Sequence, residues 1–309
     1  MTVTEEVRFE CGENVLAGTL HLPTSPGPHP ALVMIQGSGP TDRDSEGYFP
    51  PIRDHFLSHG LAVLSWDKPG IGDSTGHWTQ QSLFDRADEA LSGIEWLRKH
   101  EHIDPERVGL WGHSQGGWVG PLAVSQTRDL AILIVNSGPT ITAHEQDLYG
   151  IEHTMRADGA SEEEIANACR FLRQVHNEAI RGTPYPEVAS QLLDGARGTP
   201  AFEYFGEVDL DLWHFFVINS QRPYDPVPPL EQITCPILAI FGEADPLVPA
   251  ELSAKTFEAL RATVPVRDIT VRMFPGANHR IRTGDPNGFA PGYLETMTDW
   301  IWERIDPIR

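Results

Sequence analysis

The sequence predicts an α/β protein with a mostly parallel central sheet, helices on both faces, and a helical lid inserted after the sixth strand. Three observations predict it. Strand-like apolar runs alternate with helix-period segments from residue 31 onward, the alternation stops over residues 140–231, and Gly112-His113-Ser114-Gln115-Gly116 stands between an apolar run and a small-residue helical start. Alternation of this kind joins parallel strands through helices and gathers binding residues at the strands' carboxyl ends. The expected division is one domain, a core of residues 1–139 and 232–309 carrying a lid of residues 140–231.

Each element has its own local reason. Residues 3–9 and 14–22 read as an antiparallel hairpin turning at Cys11-Gly12-Glu13. A strand at 31–36 leads to a helix at 49–59, and a strand at 62–66 leads to a helix at 83–100. In that helix Leu83, Ala87, Ala90, Leu91, Ile94 and Leu97 recur every three or four residues, a stripe to lay on the sheet. A strand at 107–112 enters the pentapeptide, and one at 131–136 precedes the lid. Within the lid, Ser161-Glu162-Glu163-Glu164 is a capping-box start. Ile165, Ala168, Cys169, Leu172, Val175 and Ala179 then line one helical face. Further lid helices are expected near 143–156 and 187–196. The run Leu210-Asp211-Leu212-Trp213-His214-Phe215-Phe216 is unusually aromatic and precedes a Pro-rich return at 223–229. Strands at 237–241 and 268–274 and a helix at 292–305, apolar at Tyr293, Met297, Trp300, Ile301 and Ile305, complete the core.

The pentapeptide has the strand-turn-helix setting of a nucleophile elbow, in which two glycines permit a turn tight enough to lift a serine hydroxyl clear of the backbone. Ser114 is the expected nucleophile. A serine hydroxyl needs a base to take its proton and an acid to orient that base, in the chain order Ser, acid, His. Asp245 is the expected acid, at the end of the buried-strand run Ile237 to Phe241, with Glu243 its nearby competitor. Thirteen histidines are present; His279, in the loop Pro275-Gly276-Ala277-Asn278-His279, has the placement and order a base requires. His113 is expected to pack behind the elbow.

A Gly-rich turn, Gln36-Gly37-Ser38-Gly39-Pro40, follows an apolar strand, so its amides can point at a developing alkoxide. The expected oxyanion donors are the amides of Ser38 and Gln115, with Gly39 the rival of Ser38. Trp213, Phe215 and Phe216 are expected to wall an apolar acyl pocket, or else to anchor the lid. Asp42, Arg43 and Asp44 are expected to pin the oxyanion loop, and Glu203, Glu207, Asp209 and Asp211 to form a solvated surface.

With these residues in place, the chain resembles an α/β-hydrolase-fold serine hydrolase of the lid-bearing kind found among bacterial esterases and serine aminopeptidase-like hydrolases. The resemblance rests on Gly37-Ser38-Gly39-Pro40-Thr41-Asp42-Arg43-Asp44, Trp66-Asp67-Lys68-Pro69-Gly70-Ile71-Gly72-Asp73-Ser74 and Asp104-Pro105-Glu106-Arg107-Val108-Gly109. Cys235-Pro236-Ile237-Leu238 and Pro275-Gly276-Ala277-Asn278-His279 extend it. It implies acyl transfer to water through Ser114, Asp245 and His279, on a small ester-like substrate. Aminopeptidase, amidase, thioesterase and carbon-carbon bond hydrolase activities use the same triad, and a lid-closing small-ligand receptor with little turnover is the alternative outside catalysis. Where relatives carry Arg-Gly, this chain has Lys68-Pro69-Gly70, so no ion pair is carried over there.

Composition narrows the partners. The 44 acidic and 23 basic residues give a formal charge of −21, which repels nucleic acids and anionic membranes. The first residues lack the basic start and apolar stretch of a secretory signal, and no apolar run of about 18 residues occurs, so a cytoplasmic location is expected. Three cysteines, far apart, form neither a disulfide framework nor a metal-ligand pattern. No cofactor is expected, and a homo-oligomer is left open.

Overall fold

The computed structural model describes residues 3–127, 129–263, 268–284 and 288–306. Among them, strands β1 (Val3–Cys11), β2 (Asn14–Leu22), β3 (His29–Ile35), β4 (Ala62–Trp66), β5 (Ile103–His113), β6 (Leu133–Asn136), β7 (Ile237–Gly242) and β8 (Ile269–Phe274) form one sheet. Its order is β1-β2-β4-β3-β5-β6-β7-β8. The β1/β2 hairpin and the β2/β4 pair are antiparallel, and every later pair is parallel.

Side-chain alternation along the strands builds two cores. Val33, Ile35, Leu64, Trp66, Leu110, Val135 and Ala239 pack on one face, beneath helices α2 (Leu83–Arg98) and α3 (Gly116–Ser125). Leu32, Met34, Val63, Trp111, Ile134, Leu238 and Ile240 pack on the other, beneath α1 (Phe49–Ser58) and the last helix (Tyr293–Ile305). Consecutive strand residues point to opposite faces, which is why these strands read as unbroken apolar runs.

Between β6 and β7 lie α4 (Ala143–Ala157), α5 (Glu162–Arg181), α6 (Tyr185–Val188), a π-helical turn (Ala189–Leu193), α7 (Asp194–Ala196), α8 (Pro200–Phe205), α9 (Leu210–Gln221) and α10 (Val227–Gln232). The expected single helix at 187–196 is thus broken by a π turn, and the Pro-rich return carries a short helix that begins on its prolines. The capping box at Ser161 forms: the Ser161 amide donates to Glu164 Oε2 at 2.8 Å, and the Glu164 amide donates to Ser161 Oγ at 3.3 Å. The same device starts α4 at Thr142 and Glu145. These helices enclose a core of their own, including Met155, Phe171, Val175, Phe202 and Trp213. Helix α11 (Ala250–Thr263) follows β7, and the last helix is α12. Among the described residues no helix is long and apolar enough to cross a membrane.

A buried polar network ties α2 to the strand ends beneath the site. Arg86 and Glu89, one turn apart, form an ion pair almost wholly excluded from solvent. Arg86 Nη2 donates to Gln36 Oε1 at 3.1 Å, the Gln36 amide group donates to the Trp66 carbonyl, and Trp66 Nε1 donates to Glu89 Oε2 at 3.2 Å. Burial pushes the Glu89 carboxyl up, against the pull of Arg86. Arg86→Met, which leaves Glu89 buried and unpaired, is expected to cost about 3–5 kcal/mol in urea denaturation. Adding Glu89→Met should recover most of that loss.

Candidate active site

Ser114 follows β5 and precedes α3, with φ at 55°, left-handed for a non-glycine residue. Such torsions cost about 1–3 kcal/mol and persist only where the surroundings enforce them. Here the enforcement is close backbone crossing. A Cβ on Gly112 would run into the Gly116 carbonyl, and one on Gly116 would meet the Ile35 carbonyl oxygen at 2.5 Å. The Ser114 amide donates to the Asn136 carbonyl at 3.0 Å, and the Ser114 carbonyl accepts from the Gly117 amide at 2.7 Å. The serine is thus pinned on both sides by main chain.

Asp245 sits in the turn after β7, its side chain fully buried. Oδ1 accepts from the amides of Leu247 at 2.8 Å and Val248 at 3.0 Å. Oδ2 accepts from His279 Nδ1 at 2.7 Å, an arrangement that leaves the lone pair of a neutral imidazole on Nε2. The two loops meet because Ala244 and Glu243 donate to the carbonyls of Ala277 at 2.9 Å and Phe274 at 3.0 Å. Gly242 makes that approach feasible, since a side chain there would collide with the carbonyls of Ala277 and Asn278. Glu243, the competitor, is exposed and accepts from the Gly276 amide at 3.2 Å. It staples the loop and does not reach the ring.

The His279 ring lies 4.9 Å from that of His113, the residue before Ser114. His113 is buried behind the elbow, with Nδ1 3.1 Å from Asn136 Nδ2 and its ring stacked on Trp111. Burial, with His279 and Arg280 adding to it, holds His113 well below the usual histidine range, so it stays neutral. Arg43 is engaged by Asp67, Glu6 and Thr19, which fixes the loop after Ser38 and leaves no fork for a substrate carboxylate. In the acidic group of the insertion, Asp209 caps α9 and Glu207 pairs with Arg197.

Ser114, Gln115, Ser38 and Gly39 line one cavity of about 300 Å³. Phe215 and Phe216 close it from α9, and Trp78, Leu83 and Trp118 face it from the core side. Trp213 corrects the sequence-based expectation: it lies in the insertion's own core, 1 % exposed, with Nε1 donating to the Thr183 carbonyl at 2.8 Å. Sequence reasoning also missed a polar stretch of the wall. His144 of α4 and His176 of α5 stack with ring centroids 3.8 Å apart, and Asp147 lines the same cavity. A helix-period count flags Asp147 and His144 as neighbours on one face, but nothing in the sequence brings His176 to them.

The X-Pro dipeptidyl-peptidase (S15) family matches residues 12–277. Over 289 residues the chain is 24% identical to esterase EstD of Thermotoga maritima, an alignment that takes in 91% of this chain and 62% of that esterase, less than two thirds of its length. A Pyrococcus furiosus esterase superposes with a TM-score of 0.62 at 17% identity, over 98% of this chain and 91% of its own. The α/β hydrolase GrgF of a Penicillium species gives 0.62 at 17% identity, over 98% and 99%. The fold is that of the α/β hydrolases.

Asp245→Asn should lower kcat by roughly 10⁴, because it removes the acceptor that sets the ring tautomer and the charge that stabilises the imidazolium. Glu243→Gln should change kcat far less. Steady-state kinetics on both variants read this directly, and the reverse ranking would transfer the acid role to Glu243.

Proposed function

Because the chain belongs to the X-Pro dipeptidyl-peptidase (S15) family, we propose that it is a serine hydrolase that cleaves a small carboxylic ester through an acyl-enzyme intermediate. The observation that carries this reading is the 2.7 Å bond from His279 to a fully buried Asp245, set against a positive-φ serine in the cavity that Ser38 and Gln115 share. In the proposed cycle His279 Nε2 takes the Ser114 proton as Oγ attacks the carbonyl carbon. The amides of Ser38 and Gln115 hold the oxyanion, and Asp245 stabilises the imidazolium. The imidazolium then protonates the departing alcohol. A water, deprotonated by the same ring, releases the acid.

Residues 140–231, as a lid, would set substrate choice through Phe215 and Phe216, while the core supplies the chemistry. A cavity of this size suits a compact substrate better than a polymer. The −21 charge disfavours nucleic acids as partners, and a cytoplasmic setting accords with three free cysteines.

A second reading, turnover of esters or amides that carry an amine, is favoured by one observation: the Asp147 carboxylate on the cavity wall. Burial raises it to about 7, with no neighbouring charge contributing. The two histidines that line the same cavity are pushed the other way, His144 to about 4. Glu145, next on α4, is bound into the Thr142 cap.

A fluorophosphonate probe followed by intact-mass analysis is expected to add one label to the wild type and none to Ser114→Ala. Ser114→Ala should lose a factor on the order of 10⁶ in kcat on p-nitrophenyl esters. Ester hydrolysis within tenfold of wild type in the purified variant would sink the assignment. For the amine reading, the pH profile decides. An acid with a raised pKa is charged only above it, so any preference for an ester carrying an alkylammonium group over its uncharged isostere should fade as pH falls through about 7. Asp147→Asn should remove that pH step.

A further inference from the structure

The Lys68 ammonium occupies a place that the reaction above leaves unused. Its side chain is among the largest fully buried ones in the protein. Among the described residues it meets no carboxylate directly. Instead Nζ donates to the carbonyl of Gly37, to the carbonyl of Gly39 at 2.8 Å, and to Gln115 Oε1 at 3.4 Å. A charged ammonium has three N–H donors and these are three acceptors, whereas a neutral amine would leave its lone pair facing a buried oxygen. Burial, with nearby Arg86 adding to it, holds the Lys68 pKa well below the usual lysine range against the pull of Glu89, and the three acceptors are what favour the charged form in place.

The contacts fall on both halves of the oxyanion hole. The Gly37 carbonyl and the Ser38 N–H belong to one trans peptide unit and point in opposite directions. An ammonium bound to that carbonyl therefore polarises the N–H aimed the other way, and bonds in series strengthen one another. The second bond, to Gly39, fixes the next turn of the same loop. The third holds the side chain of Gln115, whose own amide is the other donor.

We infer that Lys68 is a positioning residue of the oxyanion hole, one buried cation that clamps the Gly37–Gly39 loop to Gln115 and so sets both donors against the same developing oxyanion. The inference rests on the serine hydrolase reading. Its effect belongs to the transition state, because a ground-state carbonyl bears little charge for the two amides to meet.

The test compares Lys68→Met and Lys68→Gln with wild type, in kcat, KM and affinity for an alkyl trifluoromethyl ketone, whose serine adduct carries an oxyanion. For Lys68→Met, kcat should fall about 10- to 100-fold, a large part of what loss of one oxyanion donor costs. KM should stay within about twofold, and ketone affinity should drop in step with kcat/KM. Lys68→Gln, which keeps an N–H donor group without the charge, should fall between. A merely structural lysine predicts lower thermal stability with kcat per folded molecule unchanged, and that outcome overturns the inference. If Lys68→Met does not fold, Gln115→Met decides, since it removes the third acceptor and leaves the main chain intact. There kcat should drop severalfold at constant KM, and an unchanged kcat overturns the inference. Wild-type ester turnover that Ser114→Ala abolishes keeps the two levels separate: its absence defeats the hydrolase reading, and its presence with an unaffected Lys68→Met defeats this inference alone.

Discussion

Everything at the carboxyl edge of this sheet depends on main chain crossing main chain with no side chain between. At the elbow, β5, the first turn of α3 and the end of β3 come so close that a methyl group on Gly112 or Gly116 has no room. That approach forces Ser114 into its left-handed torsion and delivers the amide of Gln115 beside it. The crossing at Gly242 does the same for the second half of the site, pressing the loop of His279 onto the turn of Asp245. The geometry of the candidate site is a by-product of packing density, and side-chain hydrogen bonds refine what the backbone has already set.

Those crossings leave a record in the sequence, so much of the architecture and the expected site residues could be read from it. A glycine pair around a serine, after an apolar strand and before a small-residue helix, admits few other structures. The parallel strands were legible because burial on both faces removes alternation, and the helices because one face stays polar. What stayed hidden depends on contacts between distant elements. α9 is apolar around most of its circumference, so a wheel does not tell which of Trp213, Phe215 and Phe216 faces the cavity and which faces α5. His144 and His176 stack across two helices whose separation no local pattern encodes.

Charge is sorted by depth in a way composition conceals. A chain with nearly twice as many acidic as basic residues concentrates basic side chains behind its Gly37–Gly39 loop: Lys68 and Arg86 are buried, and Arg43 lies half-buried against Asp67. The departure at Lys68-Pro69-Gly70 was visible as a missing arginine. Its meaning was not, because a lysine bonded to main-chain carbonyls rather than to an acid has no sequence partner to find. Interior cations need acceptors with good geometry, and a Gly-rich loop with its carbonyls turned inward supplies them.

The insertion has its own hydrophobic interior, yet it lends Phe215 and Phe216 to a cavity whose other wall and floor belong to the sheet domain. Units with separate interiors open at separate free energies. Warming the protein should therefore loosen the roof before the floor, so discrimination among substrates fades at a lower temperature than turnover of the smallest ones. The enzyme would pass through a regime in which it is still fast and no longer choosy.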